Sequence, residues 1–304
     1  MTFNARKASG QQKENDYMKY GIYYAYWEQQ WDSEGFLKYV NKVANLGFDV
    51  LEINGTPLPE YSQSDIKELK ACADAAGIEI TTGYGPVYEH DMGTADHGAR
   101  KSALEWYKRL FHVMEQLNSH LLGGALYSHW PIDYSKGVNK VEDWKRSVEG
   151  MQILGPAAKE HGITLGMEVL NRFENHILNT AEEGVRFVKE TGQDNVKVML
   201  DTFHMNIEED SMSDAILTAG PYLGHFHAGE CNRKLPGSGR IPWKEIMEAL
   251  REVNYDGCVT MEPFVRMGGR VGEDIKVWRD LSNHATEAEL DEAAGKSLIY
   301  LKSR

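Results

Sequence analysis

Cysteine is scarce in this chain: only Cys72, Cys231 and Cys258 carry a thiol among its 304 residues. Their number is odd, and their spacing matches neither a disulfide framework nor a zinc finger. We therefore expect a reduced, cytoplasmic environment. The chain also lacks an apolar stretch long enough to cross a bilayer, and no secretory signal peptide is visible, so we expect no membrane partner.

Positive charge is also in short supply. Lysine and arginine total 33 against 46 aspartates and glutamates, which gives a formal net charge of −13. Such a charge disfavours nucleic acid and other polyanions as partners, but it is compatible with a neutral small molecule. No linker, low-complexity run or shift in composition divides the chain, which favours one folded domain.

The N-terminal segment Met1–Tyr17 is polar and shows no periodicity. We expect it to be an extension that is disordered or was introduced by cloning, with Met18 opening the first strand. The catalytic domain would then cover residues 18–304.

Short segments rich in apolar and β-branched residues recur along the rest of the chain. They predict strands near Tyr20–Tyr26, Phe48–Ile53, Ile78–Tyr84, Leu121–Ala125, Thr164–Glu168, Val196–Asp201, Leu223–His227 and Gly257–Glu262. The intervening segments have the apolar spacing of helices, and several of these end at a glycine: Gly47, Gly77, Gly162 and Gly192. Strand and helix alternating eight times predict an α/β fold, a single (β/α)8 TIM barrel with a C-terminal helical extension.

The last four predicted strands end in ionisable residues: Glu168, Asp201, His227 and Glu262. An ionisable group is costly to bury unless it is paired or bound to a metal. If the strands are parallel neighbours, the four side chains converge at the C-terminal mouth of the barrel. Three carboxylates and an imidazole suit Mn²⁺ or Co²⁺, with Mg²⁺ as a further option, better than structural zinc. His225 shares a face with His227 but lies farther from the mouth, so we assign the ligand role to His227.

Longer motifs extend over most of the chain: Met18–Glu28, Gly123–Pro131, Met167–His176, Val198–Asn206, Gly224–Arg233, Met261–Phe264 and Asp274–Asp280. They resemble the ketose 3-epimerases, the family of D-tagatose 3-epimerase and D-psicose (D-allulose) 3-epimerase, and most strongly its clostridial D-allulose 3-epimerases. The resemblance implies a (β/α)8 barrel with one Mn²⁺ or Co²⁺ per subunit, assembled as a homotetramer or homodimer. It places the family's metal ligands at the same four residues, Glu168, Asp201, His227 and Glu262.

The resemblance also implies an enzyme, an epimerase that inverts C3 of free ketohexoses. It would interconvert D-fructose with D-allulose and D-tagatose with D-sorbose. The C3 proton is α to the carbonyl, so its removal gives a cis-enediolate whose charge a metal can stabilise. Inversion requires proton removal on one face and delivery on the other, which predicts Glu168 and Glu262 as the catalytic carboxylates.

The family's substrate contacts correspond to Glu174, His204 and Arg233. Taken without the resemblance, Glu174 could also be a solvated carboxylate, His204 a histidine that caps its own helix, and Arg233 a solvated loop arginine. The family's apolar wall around the sugar tail corresponds to three aromatic residues, Tyr23, Trp31 and Trp130. A barrel rich in aromatic residues would also place some there for packing alone.

Other functions are compatible with parts of the pattern. The basic glycine loops Pro236–Arg240 and Met267–Arg270 follow strands seven and eight, where many barrels bind phosphate, so a phosphoketose epimerase is one alternative. A sugar isomerase is another, because it shares the metal and the carboxylates and differs in the carbon that loses its proton. A phosphoesterase such as an apurinic endonuclease would need a basic groove and more strand-end histidines. A non-catalytic sugar-binding barrel would need no paired carboxylates.

Overall fold

The computed structural model of the protein describes residues 18–31 and 35–304. The predicted extension Met1–Tyr17 lies outside the described residues. The strands pair in parallel in sequence order and β1 pairs with β8, so the sheet closes into the predicted barrel. They are β1 (Lys19–Tyr23), β2 (Val50–Asn54), β3 (Glu79–Gly83), β4 (Leu121–Gly124), β5 (Thr164–Glu168), β6 (Val196–Asp201), β7 (Leu223–Ala228) and β8 (Cys258–Met261).

Helices alternate with the strands. They are α1 (Leu37–Leu46), α2 (Gln63–Ala76), α3 (His97–Leu117), α4 (Lys140–Lys159), α5 (Ala181–Thr191), α6 (Thr202–Glu208), α7 (Met212–Ala219), α8 (Trp243–Glu252), α9 (Gly269–Asp274) and α10 (Glu287–Lys302). The glycines predicted to follow helices have left-handed backbones, with φ of 85°, 69°, 68° and 67° at Gly47, Gly77, Gly162 and Gly192. Among the described residues no helix has the length and apolar character needed to cross a membrane.

The predicted C-terminal extension is confirmed as α10, which packs on α1. Its Asp291 accepts a hydrogen bond from the Trp27 indole at 2.7 Å and pairs with Lys42 at 2.8 Å. Leu298 and Leu301 on the same helix are buried. The extension is therefore part of the barrel's outer layer.

The first strand is shorter than predicted. β1 ends at Tyr23, and Tyr24–Tyr26 form a 3₁₀ turn, so the prediction of a strand through Tyr26 is wrong. The Tyr24 ring packs edge-on against Phe36 and Tyr39, with centroid separations of 5.0 and 5.8 Å. This packing against α1 overrides the strand propensity of the aromatic run. The other seven strands are confirmed, with ends displaced by two residues at most.

The interior of the barrel holds polar groups beneath its mouth. Glu52 and His225 are buried there, with 1% and 0% of their surface exposed. Gly123 on β4 leaves space for His225 and Met199, since a Cβ at this position would lie 2.8 Å from Met199 Sδ and 3.3 Å from His225 Cδ2. A side chain at Gly123 would therefore overpack this layer.

Candidate metal centre and active site

The four ionisable strand-end residues lie at the ends of four adjacent strands. We call the set Glu168, Asp201, His227 and Glu262 the ligand arc. Glu168 and Asp201 close β5 and β6, His227 is the penultimate residue of β7, and Glu262 directly follows β8. One potential ligand atom from each residue lies within 4.8 Å of the other three. The structure thus brings the four side chains together, while their role as ligands stays a prediction.

Glu52 on β2 is a hydrogen-bond partner of the Nε2 atom of His227. Its Oε1 lies 2.7 Å from His227 Nε2, and its Oε2 lies 2.8 Å from His225 Nε2. The other His227 nitrogen, Nδ1, lies 3.5 Å from Glu262 Oε1 and is buried without a hydrogen bond to any described residue. A buried nitrogen left open toward carboxylates fits the donor set of a divalent cation.

Glu52 is a residue of the site that the sequence pattern did not predict. The available signal was a carboxylate in the middle of the apolar strand Val50–Asn54, whose five residues are all buried. An isolated carboxylate is seldom buried without a partner. That signal shows that a partner exists, but it does not say which residue the partner is.

The electrostatics of the arc favour a cation. Burial, followed by the negative charge of Glu262, raises the pKa of Glu168 well above its ordinary value. Burial also raises the pKa of Asp201. Burial by itself would lower the pKa of His227, but Glu52 and Glu262 hold it well above the usual range. Confining several carboxylates in a buried site is unfavourable without nearby positive charge, which a divalent ion would supply.

Arg233 brings a positive charge to the site. Its Nη1 donates to Asp201 Oδ2 at 3.1 Å and to Glu262 Oε2 at 2.9 Å. Its guanidinium carbon lies 3.8 Å from the centroid of the Phe203 ring. The residue is buried and has a left-handed backbone, with φ of 63°, a conformation that non-glycine residues seldom adopt. Arg233 is therefore built into the site and is not a solvated loop arginine.

His204 presents a single N–H group to the site. Its Nδ1 accepts the backbone N–H of Asn171 at 3.2 Å and lies 2.8 Å from the Asn171 amide nitrogen. A backbone N–H can only donate, so Nδ1 is an acceptor and the proton of the neutral ring is on Nε2, which lies 3.7 Å from Glu168 Oε1. Arg233 Nη2, which also only donates, lies 3.5 Å from the same Nε2, a longer contact than the two that Nδ1 makes with Asn171. Burial lowers the pKa of His204 to about 3, so the ring is neutral. The alternative that His204 caps its own helix is wrong, because Asp201 caps α6 through the N–H of Phe203.

Glu174 and two tryptophans shape the rim of the site. Glu174 accepts from the Asn171 amide at 3.0 Å and from the Trp130 indole at 3.2 Å. The Trp31 indole donates to Asp274 at 2.9 Å. These hydrogen bonds fix the orientation of both indole rings.

A cavity of about 80 Å³ lies between the arc and the rim. All six predicted substrate contacts line it: Tyr23, Trp31, Trp130, Glu174, His204 and Arg233. The cavity adjoins a wider cleft of about 840 Å³ that is also bounded by Trp130, Glu174 and Arg233. The contacts of these residues with a sugar stay predictions, but their placement is compatible with that role.

The residues of the two basic glycine loops hydrogen-bond to other parts of the chain. In Pro236–Arg240 the Gly237 N–H donates to Glu230 at 2.8 Å, and Ser297 of α10 donates to the Pro236 carbonyl at 2.8 Å. In Met267–Arg270 the Met267 carbonyl accepts from Gln29 at 2.6 Å. As far as the described residues bound the cavity and the cleft, no residue of either loop lines them.

The fold and the site together define the class of protein to which the chain belongs. Residues 40–284 match the family described as xylose isomerase-like TIM barrels. Within that class, the D-psicose 3-epimerase of Ruminiclostridium cellulolyticum is 58% identical, over 93% of this chain and 96% of that protein. The D-psicose 3-epimerase of Agrobacterium fabrum is 52% identical, over 93% and 98%.

A solved structure agrees with these sequence comparisons. The crystal structure of D-psicose 3-epimerase with D-tagatose from Clostridium cellulolyticum H10 matches with a TM-score of 0.92 at 57% identity, covering 94% of this chain and 99% of that one. The chain therefore belongs to the ketose 3-epimerase family and is a carbohydrate epimerase, as its motifs predicted.

Proposed function

We propose that the protein is a metal-dependent epimerase that inverts C3 of free ketohexoses. The substrate pairs would be D-fructose with D-allulose and D-tagatose with D-sorbose. The observation that carries the proposal is the ligand arc, which consists of three carboxylates and the imidazole of His227. The Nδ1 atom of that imidazole is buried and has no hydrogen bond to any described residue. The D-psicose 3-epimerases that resemble this chain support the choice of substrate.

The arc suits one Mn²⁺ or Co²⁺ per subunit, and Mg²⁺ would also fit its oxygen-rich donors. Glu168, Asp201, His227 through Nδ1, and Glu262 would hold the ion. When bound, the ion supplies positive charge that stabilises the negative charge arising on the sugar oxygens as C3 loses its proton.

The chain's own residues would move the proton. Glu168 and Glu262 are the two ends of the arc, on β5 and directly after β8. A sugar carbon between them can lose its proton to one carboxylate and receive a proton from the other on the opposite face. Arg233 orients Glu262 through its 2.9 Å hydrogen bond. The Nε2–H of His204 points toward the same space and can donate to a sugar oxygen.

The surroundings favour a free sugar over a phosphorylated one. Glu168, Glu174 and Glu262 border the cavity, and their carboxylates would repel a phosphate. Neither of the glycine loops that could bind phosphate is among the described residues that line the cavity or the cleft. Tyr23, Trp31 and Trp130 supply an apolar cover for the sugar tail, while Glu174 and Arg233 can bind its hydroxyls.

We further propose a homotetramer or homodimer, on the strength of the family resemblance. Light scattering on the eluting protein would measure the assembly directly. The thiols of Cys72, Cys231 and Cys258 are free, which fits a reducing, cytoplasmic compartment.

The test is to incubate the metal-loaded protein in deuterium oxide with fructose, allulose, tagatose and sorbose. We expect the C3 epimer of each accepted sugar, with deuterium at C3 of the product. Metal-stripped protein serves as the control. An aldose product would favour the sugar isomerase alternative, and absence of any conversion would refute the proposal.

A further inference from the structure

The barrel interior contains a carboxylate that the proposed proton transfer does not use. Glu52 is 1% exposed and belongs to β2, whereas the ligand arc is on β5 to β8. Taking a carboxylate out of water costs several kcal/mol unless it is fully hydrogen-bonded. Packing alone would be served better by an apolar residue, so the position of Glu52 calls for a different explanation.

The hydrogen bonds around Glu52 leave neither of its oxygens free. Oε1 lies 2.7 Å from His227 Nε2, and Oε2 lies 2.8 Å from His225 Nε2. Oε2 also accepts the hydroxyl of Thr81 at 2.9 Å. Because each oxygen already faces a donor, Glu52 is poorly placed to take a proton from a substrate.

These contacts decide which nitrogen of His227 can bind an ion. An ionised carboxylate only accepts hydrogen bonds, so the His227 Nε2 that faces it must carry a proton. A bound ion takes the place of any second ring proton, so the lone pair that the ion can use is on Nδ1. That atom lies 3.5 Å from Glu262 Oε1, on the side of the ring that faces the arc.

We propose that Glu52 is a positioning residue: it fixes the ring orientation and the tautomer of His227, so that the Nδ1 lone pair faces the other three ligands. The proposal rests on the metal site proposed above and adds a residue outside the arc to it. A carboxylate that accepts a hydrogen bond from the far nitrogen of a metal-bound histidine typically contributes a factor of ten to a hundred to metal affinity.

Two variants separate positioning from packing. Glu52→Gln keeps the size of the side chain, but its amide has one accepting oxygen for two histidines, and its NH₂ group can only donate. Thr81→Val is the matched control, because it removes a hydrogen bond to the same carboxylate and leaves the contact between Glu52 and His227 intact. Both changes are made in the same buried layer.

The measurement is a calorimetric titration of metal-stripped protein with Mn²⁺, together with the absorption spectrum of the Co²⁺-loaded protein. We expect Glu52→Gln to raise the dissociation constant about ten- to a hundredfold and to alter the Co²⁺ spectrum. Thr81→Val should change the constant less than about threefold, because it leaves the carboxylate on the metal-bound histidine in place. Equal losses in both variants, or a wild-type constant in folded Glu52→Gln, would overturn the proposal. A wild-type protein that binds no Mn²⁺ would instead overturn the metal site itself.

A second measurement does not require the Glu52 variant to fold. Nitrogen-15 NMR of the histidine rings in Mg²⁺-loaded wild-type protein reports which nitrogen carries the proton. The His227 signals are those missing from His227→Gln. A proton on Nε2 supports the proposal, and a proton on Nδ1 overturns it.

Discussion

Replacing either end of the ligand arc by its amide would test the proposed proton transfers. In Glu168→Gln and Glu262→Gln the amide oxygen can still bind a cation, but the amide cannot accept or deliver a proton at C3. The loss of general acid–base catalysis typically costs a hundredfold or more. We therefore expect turnover to fall at least about a hundredfold, which corresponds to ~2.7 kcal/mol of transition-state stabilisation.

The two variants should differ in their isotope exchange. With one carboxylate gone, the other can still remove the C3 proton on its own face and return a proton from solvent to the same face. Glu168→Gln should therefore exchange deuterium into one epimer without inverting it, and Glu262→Gln should do so with the other epimer. NMR of each sugar in deuterium oxide would measure both exchange and inversion.

The control for this experiment is Glu248→Gln on the outer surface of α8. Its side chain is 59% exposed and lies 3.8 Å from Lys244, so its replacement should leave turnover unchanged. Metal content is measured for each variant, because loss of the ion would also reduce turnover. Inversion at the wild-type rate in either metal-loaded variant would refute the roles assigned to Glu168 and Glu262.

Three further perturbations address other parts of the site. Chelation should abolish turnover, and added Mn²⁺ or Co²⁺ should restore turnover. At a concentration a hundred times its dissociation constant, the ion should also stabilise the fold by about 2.7 kcal/mol, as thermal unfolding would measure. Full activity without metal would contradict the assignment. Asn171→Ala removes the amide that donates to both His204 and Glu174, so kcat/KM should fall at least about tenfold, the equivalent of one buried hydrogen bond or more. Unchanged kinetics would show that the backbone N–H of residue 171 is sufficient to hold His204. Trp130→Phe keeps an aromatic face but loses the donor to Glu174, so KM should rise several-fold with a smaller change in kcat, as steady-state kinetics would show.

The barrel could be predicted from the sequence because its signals are local. Most of the strands are apolar segments with a glycine or a polar residue at or just after their ends, and the longer helices have an apolar face. The error at Tyr24–Tyr26 arose where a local signal was misleading, since aromatic residues favour strands and here pack against α1. The convergence of the arc was predictable for a related reason, because parallel strands in sequence order bring their carboxyl ends to one mouth.

The residues that hold His204 and His227 in place could not be identified in this way. Asn171 contacts His204 across 33 positions, and Glu52 contacts His227 across 175 positions of the sequence. Both contacts depend on side-chain directions that exist only when the barrel is closed. Before closure, Glu52 is one carboxylate in an apolar strand and Asn171 is one polar residue in a loop.

The distance between Glu52 and the arc along the chain has a thermodynamic consequence. The strand that bears Glu52 belongs to the first half of the barrel, whereas the four proposed ligands lie on β5 to β8. If Glu52 sets the orientation of His227, the complete site exists only when both halves of the sheet have joined. The free energy of metal binding then stabilises closure of the whole barrel and not the C-terminal half alone. In the Glu52→Gln variant the ion would remain bound to the arc more weakly, and its stabilisation of the fold would decrease by the same free energy as its binding.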